Sequence, residues 1–308
     1  MSLATVIIHK GNTDYLPYSL AQVKESNPQS KIYLLGDDSN KHYSFIEHDY
    51  INKYANGTKD FANIYKHLSS NDLEFELFCF QRWIILKNFM FAKKLNNCFC
   101  IDSDVMVYTN ISKEQTKFQS FDIAFSYVPL NDSPSPHCIF INNVEALKNF
   151  CDFLTALYTD SSLLKLMELQ LQQRAQNNLP GGACDMTAFR EFAKGGYSKI
   201  GYTSSIDNDS TYDHNINCSE GVFEMSNGIK NIYFVNNYPY CKNYLLNKEI
   251  MFNILHFQGS AKKYMKYYFT GKEIELNNFW HYYTILQSKI KFKLKKYSSN
   301  WILRRRDA

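Results

Sequence analysis

Apolar positions fall into short β-rich runs separated by stretches of helical period. Residues 4–8 are such a run, ended by the turn Lys10-Gly11-Asn12. Residues 16–25 carry helical spacing, and residues 31–35 form a second run ended by Gly36-Asp37-Asp38. A strand, a turn, a helix and a strand in that order predict an α/β fold. Over residues 75–95, Phe78, Arg82, Ile85 and Phe89 recur at spacings of three and four, as do Trp83, Leu86 and Met90. That pattern predicts a helix apolar over much of its circumference and largely buried. Asn96-Asn97 turns the chain into an apolar strand over residues 98–107. Residues 121–127 and 138–141 read as further strands, with a loop at Pro134-Ser135-Pro136 between them. Residues 147–158 and 163–176 read as helices. Leu179-Pro180-Gly181-Gly182 breaks the chain before a helix over 185–193. Residues 202–220 are polar and loop-like, 232–235 and 250–257 are late strands, and helical patterns follow to the end. With no repeat, linker or low-complexity block, the economical division is one domain over 1–270 and a helical extension over 271–308.

Composition adjusts this picture in three places. Apolar residues make up 45 % of the 308, enough for a sizeable core, and charged residues only 21 %, which argues against wholesale disorder. The net charge of +4 is uneven: from Lys289 to Arg306 the chain carries five Lys, three Arg and no acid, so the remainder has an excess of four acids. An acidic body argues against a nucleic-acid surface. The basic tail, with Ile290, Leu294, Tyr297 and Trp301 along one side of a helix, suits peripheral docking on an anionic membrane. The eight Cys show no zinc-ribbon spacing, Cys98 and Cys100 lie inside an apolar run, and the first residues are no signal peptide. Reduced thiols and a cytoplasmic location, peripheral at the inner face of a membrane, are therefore expected. No apolar stretch reaches the roughly 18 residues of a membrane span.

The candidate chemistry lies at strand ends. Phe99-Cys100-Ile101 runs straight into Asp102-Ser103-Asp104. On a regular strand two acids two residues apart face the same way, roughly 6.5–7 Å apart at the Cα atoms, a spacing suited to two carboxylates on one cation. A second Asp-x-Asp, Asp207-Asn208-Asp209, has no apolar strand before it and is expected to be an ordinary polar loop. His256-Phe257-Gln258-Gly259-Ser260-Ala261-Lys262 follows the late strand. There a neutral imidazole can reach a metal, a Gly lets the backbone approach a phosphate, and a Lys neutralises it. Two oxygens and one nitrogen suit Mn²⁺ better than the all-oxygen sets of Mg²⁺, which stays the alternative. Nucleotides bind beyond the carboxyl ends of parallel strands, so His9, Gly11, Asn12 and Asp37 are candidate contacts.

An apolar strand ending in Asp102-Ser103-Asp104, with His256-Phe257-x-Gly259-x-x-Lys262 near the C-terminus, resembles the family 8 retaining glycosyltransferases. These include glycogenin-like enzymes and bacterial lipooligosaccharide galactosyltransferases. The resemblance implies the GT-A fold, a Rossmann-like mixed sheet flanked by helices. It implies Asp102, Asp104 and His256 as Mn²⁺ ligands, and Ser103, Gly259 and Lys262 at the nucleotide of a donor, by default a UDP-sugar. It also implies that Arg82 contacts Asp102 and the donor sugar, and that Asp185 lies beside that sugar. The acceptor it implies is a glycan or glycolipid in surface polysaccharide or glycoconjugate synthesis. Met186 stands where the family has Gln, and the acceptor-side Asn-x-Gly is replaced near Ser135-Pro136-His137-Cys138. Stereochemistry thus stays open between retention and inversion, the latter with Asp185 as general base. Asp213-His214-Asn215 is a polar cluster expected to line the acceptor side. Two other classes stand beside this reading, a nucleotidyltransferase and a non-catalytic sugar-binding protein.

Overall fold

The computed structural model describes residues 2–129 and 132–271, so the basic tail lies outside the described residues. Eight strands come first: β1 (Thr5–Ile8), β2 (Ile32–Gly36), β3 (Glu47–Tyr50), β4 (Cys98–Ile101), β5 (Val105–Val107), β6 (Ile123–Val128), β7 (Ser133–Ile141) and β8 (Ile200–Tyr202). Seven of them form one sheet in the order β3-β2-β1-β4-β7-β6-β8. β3, β2, β1 and β4 run parallel, β7 is antiparallel to β4 and β6, and β8 is parallel to β6. The expected mixed α/β sheet is present. From β1 the chain winds outward to β2 and β3, then returns to place β4 on β1's other side. That reversal opens a crevice at the carboxyl ends of β1 and β4.

Helices cover the sheet: α1 (Leu16–Ser26), α2 (Thr58–Ile64), α3 (Leu73–Ala92), α4 (Ile111–Phe118), α5 (Val144–Thr159), α6 (Ser161–Gln176), α7 (Asp185–Lys194) and the short α8 (Met265–Tyr268). α3 starts where Asp72 accepts a hydrogen bond from the Phe75 N–H, satisfying one orphan donor of the first turn. Its buried residues include Trp83, Ile85, Leu86, Phe89 and Met90, as its pattern predicts, together with Phe80 and Ile84, whereas Phe78 and Arg82 are only partly buried. Trp83 meets Phe189 of α7 edge-on at 4.9 Å, and Phe189 stacks on Phe150 of α5 at 3.9 Å. Each such side chain contributes about 1.5–3 kcal/mol by burial. The cluster fixes α3 against α7, and with them Arg82 and Asp185.

Three expectations are corrected. The strand over 98–107 is two strands: Asp102-Ser103-Asp104 is a turn, closed by the Val105 N–H donating to the Asp102 carbonyl. The regular-strand argument for the two acids therefore does not apply. The loop at Pro134-Ser135-Pro136 is part of β7. β4 pairs with β7 only from Cys138 onward, so the two prolines sit where one flank of the strand is unpaired and a missing N–H costs little. The late strand over 250–257 is also two. The remaining strands are β9 (Ser210–Thr211), β10 (Met225–Ser226), β11 (Ile229–Lys230), β12 (Tyr233–Val235), β13 (Tyr238–Asn243), β14 (Lys248–Phe252) and β15 (Ile254–His256). β14 joins the small sheet β12-β13-β14-β9, whereas β15 leaves it to pair antiparallel with β5. Sequence periodicity missed β3, β8, β10, β11, β13, α2 and α4 altogether, and β9 lies in the stretch expected to be a loop. All eight Cys are free thiols, and among the described residues no helix is long and apolar enough to cross a membrane.

Candidate active site

The crevice between β1 and β4 deepens into a cleft of about 750 Å³, within the usual size of a small-molecule site. Its walls include His9, Lys10, Arg82, Asp102, Ser103, Asp104, Asp185, His256 and Lys262. Residues 104 and 256 meet because β15 pairs with β5: His256 stands opposite Val105, and the Phe257 N–H donates to the Asp104 carbonyl at 2.9 Å.

Arg82 projects from α3 and bridges two acids. One guanidinium nitrogen donates to Asp102 Oδ1, and the other to Asp185 Oδ2 at 2.7 Å. Trp83 Nε1 donates to the same Asp185 oxygen at 3.0 Å. Burial opposes the guanidinium charge, but Asp102 and Asp185 outweigh it and hold its pKa well above the ordinary value. Burial also raises the Asp102 carboxyl to about 6, against the pull of Arg82. Asp185 is not the helix N-cap, a role taken by Cys184; it is a buried first-turn residue.

Asp104 is flanked on both sides. Lys262 Nζ lies 3.2 Å from Oδ2, and His256 Nε2 lies 3.7 Å from Oδ1, too far for a hydrogen bond. Oδ1 is buried and has no hydrogen-bond partner. His256 Nδ1 lies 2.8 Å from the His214 carbonyl, which can only accept, so Nδ1 carries a proton, and in the neutral ring Nε2 presents a lone pair. An orphaned carboxylate oxygen and an imidazole lone pair facing each other are both electron donors. A divalent cation would satisfy both, and Asp102 lies two residues from Asp104 on the same wall; the residues fit such an ion. Among the described residues no three His, Cys, Asp or Glu side chains already converge on one point, and Asp102 is paired with Arg82.

The other candidates divide. Burial lowers the His9 pKa, helped by Lys262, and the ring lines the cleft. Gly11, Asn12 and Asp37 are not among the wall residues. Asp37 accepts from the Gly11 N–H at 2.6 Å, and Asn12 accepts from the Tyr43 hydroxyl at 2.8 Å, so the three knit loops together. Gly259, at φ +61°, opens the 3₁₀ turn Gly259–Tyr264 that carries Lys262 back to Asp104. Burial opposes the Lys262 charge, but Asp104 and Tyr15 outweigh it and raise its pKa. Asp207-Asn208-Asp209 is an exposed turn in which Asp209 pairs with Lys248.

Asp213 corrects the expected acceptor-side cluster: it is fully buried and lies behind His256. His137 was also missed as a site residue. Its ring stacks on His256 at 3.9 Å with 5° between the planes. Burial lowers its pKa well below the usual histidine value, and the neighbouring imidazoles add to this. Glu76, six residues before Arg82 on α3, is 2 % exposed and also lines the cleft. An acid set between Phe75 and Leu77 in a mostly apolar helix is a signal the sequence did carry.

No known protein family and no curated protein matches the chain in sequence. Solved structures do align with it. Mouse xyloside xylosyltransferase 1, in its apo form, is 9 % identical over 68 % of this chain and 88 % of its own, with a TM-score of 0.44. An active-site mutant of LgtC is 12 % identical over 89 % and 99 %, with a TM-score of 0.47. The PaToxG glycosyltransferase is 9 % identical over 63 % and 69 %, with a TM-score of 0.37.

Proposed function

We propose that the chain is a metal-dependent glycosyltransferase of the GT-A type, moving a sugar from a nucleotide-sugar, by default a UDP-sugar, to a glycan or lipid-linked acceptor. The observation that carries the reading is the meeting of Arg82, Asp102 and Asp185 with Asp104, His256 and Lys262 in one cleft at the β1/β4 crevice. Asp102, Asp104 and His256 would hold Mn²⁺. The cation, when bound, supplies positive charge to the departing diphosphate. Lys262 adds a mobile point charge to the same phosphates, and the backbone at Gly259 approaches them. Arg82 and Asp185, locked by each other and by Trp83, form a rigid rim for the hydroxyls of the donor sugar.

Asp185 Oδ2 already accepts two hydrogen bonds, from Arg82 and Trp83. Held in place by both, Asp185 is read as a sugar-holding residue and retention as the stereochemical course, with inversion through Asp185 as general base the alternative. The tail from Lys289 to Arg306 would dock the enzyme on anionic lipid at the inner face of a membrane.

A thermal-shift series with UDP-sugars, with and without Mn²⁺, tests the core of the reading. A stabilisation that needs both is expected, as is loss of transfer with retained folding in Asp104→Asn. Normal turnover by folded Asp104→Asn in buffer freed of divalent ions would sink the metal role.

A further inference from the structure

Behind the cleft lies a buried ionic cluster whose acids and lysine are not among the cleft walls. Lys230, at the end of β11, is fully buried. Its ammonium reaches Asp213 Oδ1 at 2.6 Å, Glu220 Oε1 at 2.7 Å and the Asn215 carbonyl at 2.8 Å. An ammonium has three protons, and all three are used. The Lys230 backbone N–H adds a bond to the Ile216 carbonyl at 2.7 Å. Lys230 thus ties down residues 213, 215, 216 and 220 of one loop.

That loop in turn holds His256 at three points. Asp213 Oδ2 accepts from the His256 backbone N–H at 3.0 Å, the His214 carbonyl accepts from Nδ1, and the Ile216 N–H donates to the His256 carbonyl at 3.0 Å. The fourth constraint is the stacked ring of His137, whose Nε2 donates to the Asp213 carbonyl at 2.9 Å while its Nδ1 accepts from Ser135 Oγ at 2.8 Å. Asp213 therefore joins Lys230, His137 and His256 with one side chain and one carbonyl. A buried charge cluster of this kind stabilises less than well-packed apolar side chains of the same volume would. Its return lies in placement: it sets the tautomer and the plane of the His256 imidazole.

We propose that Lys230 and Asp213 are positioning residues that aim His256 Nε2 at Asp104 and thereby set the affinity of the cleft for a divalent cation. The proposal rests on the metal-dependent reading above. Removing a partner that orients a metal-binding histidine commonly weakens metal affinity about 10- to 100-fold, although Lys230 itself never approaches the ion.

The test is Mn²⁺ binding in the presence of UDP, followed by the loss of the free-ion electron paramagnetic resonance signal. Wild type, Lys230→Met and His256→Ala are compared, the last setting the floor. Metal-free ¹⁵N spectra of the histidine rings are recorded alongside. Expected are an Mn²⁺ affinity weaker by about 10- to 100-fold in Lys230→Met and loss of the single Nδ1–H tautomer of His256. Because Lys230→Met leaves two buried acids unpaired and can unfold, Lys230→Met with Asp213→Asn and Glu220→Gln is made as well. If that neutral triple variant regains stability but still binds Mn²⁺ weakly, placement and not stability is what the cluster provides. If its affinity returns with its stability, or if folded Lys230→Met binds like wild type, the proposal is overturned and the metal reading survives. If wild type with UDP binds no Mn²⁺, the metal reading fails, and the proposal with it.

Discussion

Replacing Arg82 by glutamine removes the cation that bridges Asp102 and Asp185. The side chains of Arg82, Asp102 and Asp185 are 17 %, 30 % and 6 % exposed, so the two ends of the bridge differ. Asp102 is shielded enough for burial to raise its pKa, yet its side chain still reaches solvent, so losing that end costs only about 1 kcal/mol or less. Asp185 is dry and keeps only its bond to Trp83 Nε1. Breaking a buried pair from one side costs about 3–5 kcal/mol, and the retained indole bond brings the expectation to roughly 3 kcal/mol. The guanidinium also lies 4.6 Å from the Trp83 ring centroid, a contact worth about another 0.5–1 kcal/mol. The total is about 3.5–5 kcal/mol, and at roughly 2–3 °C per kcal/mol for a chain of this size the melting temperature should fall by about 7–15 °C. Differential scanning fluorimetry with a urea titration measures this. The companion is Arg82→Gln with Asp185→Asn, which leaves no charge stranded at the dry end and should recover more than half of the loss. A single variant within about 0.5 kcal/mol of wild type, the range of ordinary surface substitutions, would refute the bridge. A double variant no more stable than the single one would refute the view that a stranded Asp185 is the cause.

Gly182→Ala should destabilise by about 1–3 kcal/mol, because its Cβ would stand 2.1 Å from the Leu68 carbonyl, across the bridge between Ser69 and Gly182. Gly259→Ala, with φ +61° and open space around the Cβ, should cost only about 1 kcal/mol of backbone strain, so equal losses in urea midpoints would contradict the pair. Burial raises the Glu76 pKa above its ordinary 4.5, against hydrogen bonds from Asn71 and Ser69 that a glutamine carbonyl would also accept. A raised folded-state pKa gives stability that is complete below 4.5 and lost as pH rises through the folded value. Glu76→Gln should therefore gain on wild type as pH rises from about 4.5 to 7.5, and a pH-independent difference in melting temperature would dismiss the idea. A chain ended before Lys289 should lose co-sedimentation with vesicles rich in phosphatidylserine, while unchanged binding removes the membrane role of the tail.

Local pattern was enough for some of this protein. The run Phe99-Cys100-Ile101 had to be a buried strand, and α3 had to be a buried helix, because both periodicities follow from backbone geometry within a few residues. Asp102, Asp104, His256 and Lys262 were visible because each follows closely on an apolar strand, where a polar residue is unexpected. Arg82 was visible for a related reason, a charge on an apolar helix.

What the local pattern left open was adjacency. Nothing in residues 98–107 says that the acids sit in a turn and that the strand resumes in another sheet. Pairing β15 with β5 brings positions 104 and 256 together, and that choice depends on hydrogen bonds between segments far apart in the chain. Asp213 reads as part of an acceptor-side cluster and Lys230 gives no signal, because isolated polar residues in a loop carry no period. Only packing decided that they lie dry behind His256, with each charge answered by the other. Sequence thus determined which residues could carry the chemistry, since that depends on side-chain type and immediate neighbours. Tertiary structure decided which of them meet, since long-range pairing is selected by the burial and hydrogen bonding of the whole chain.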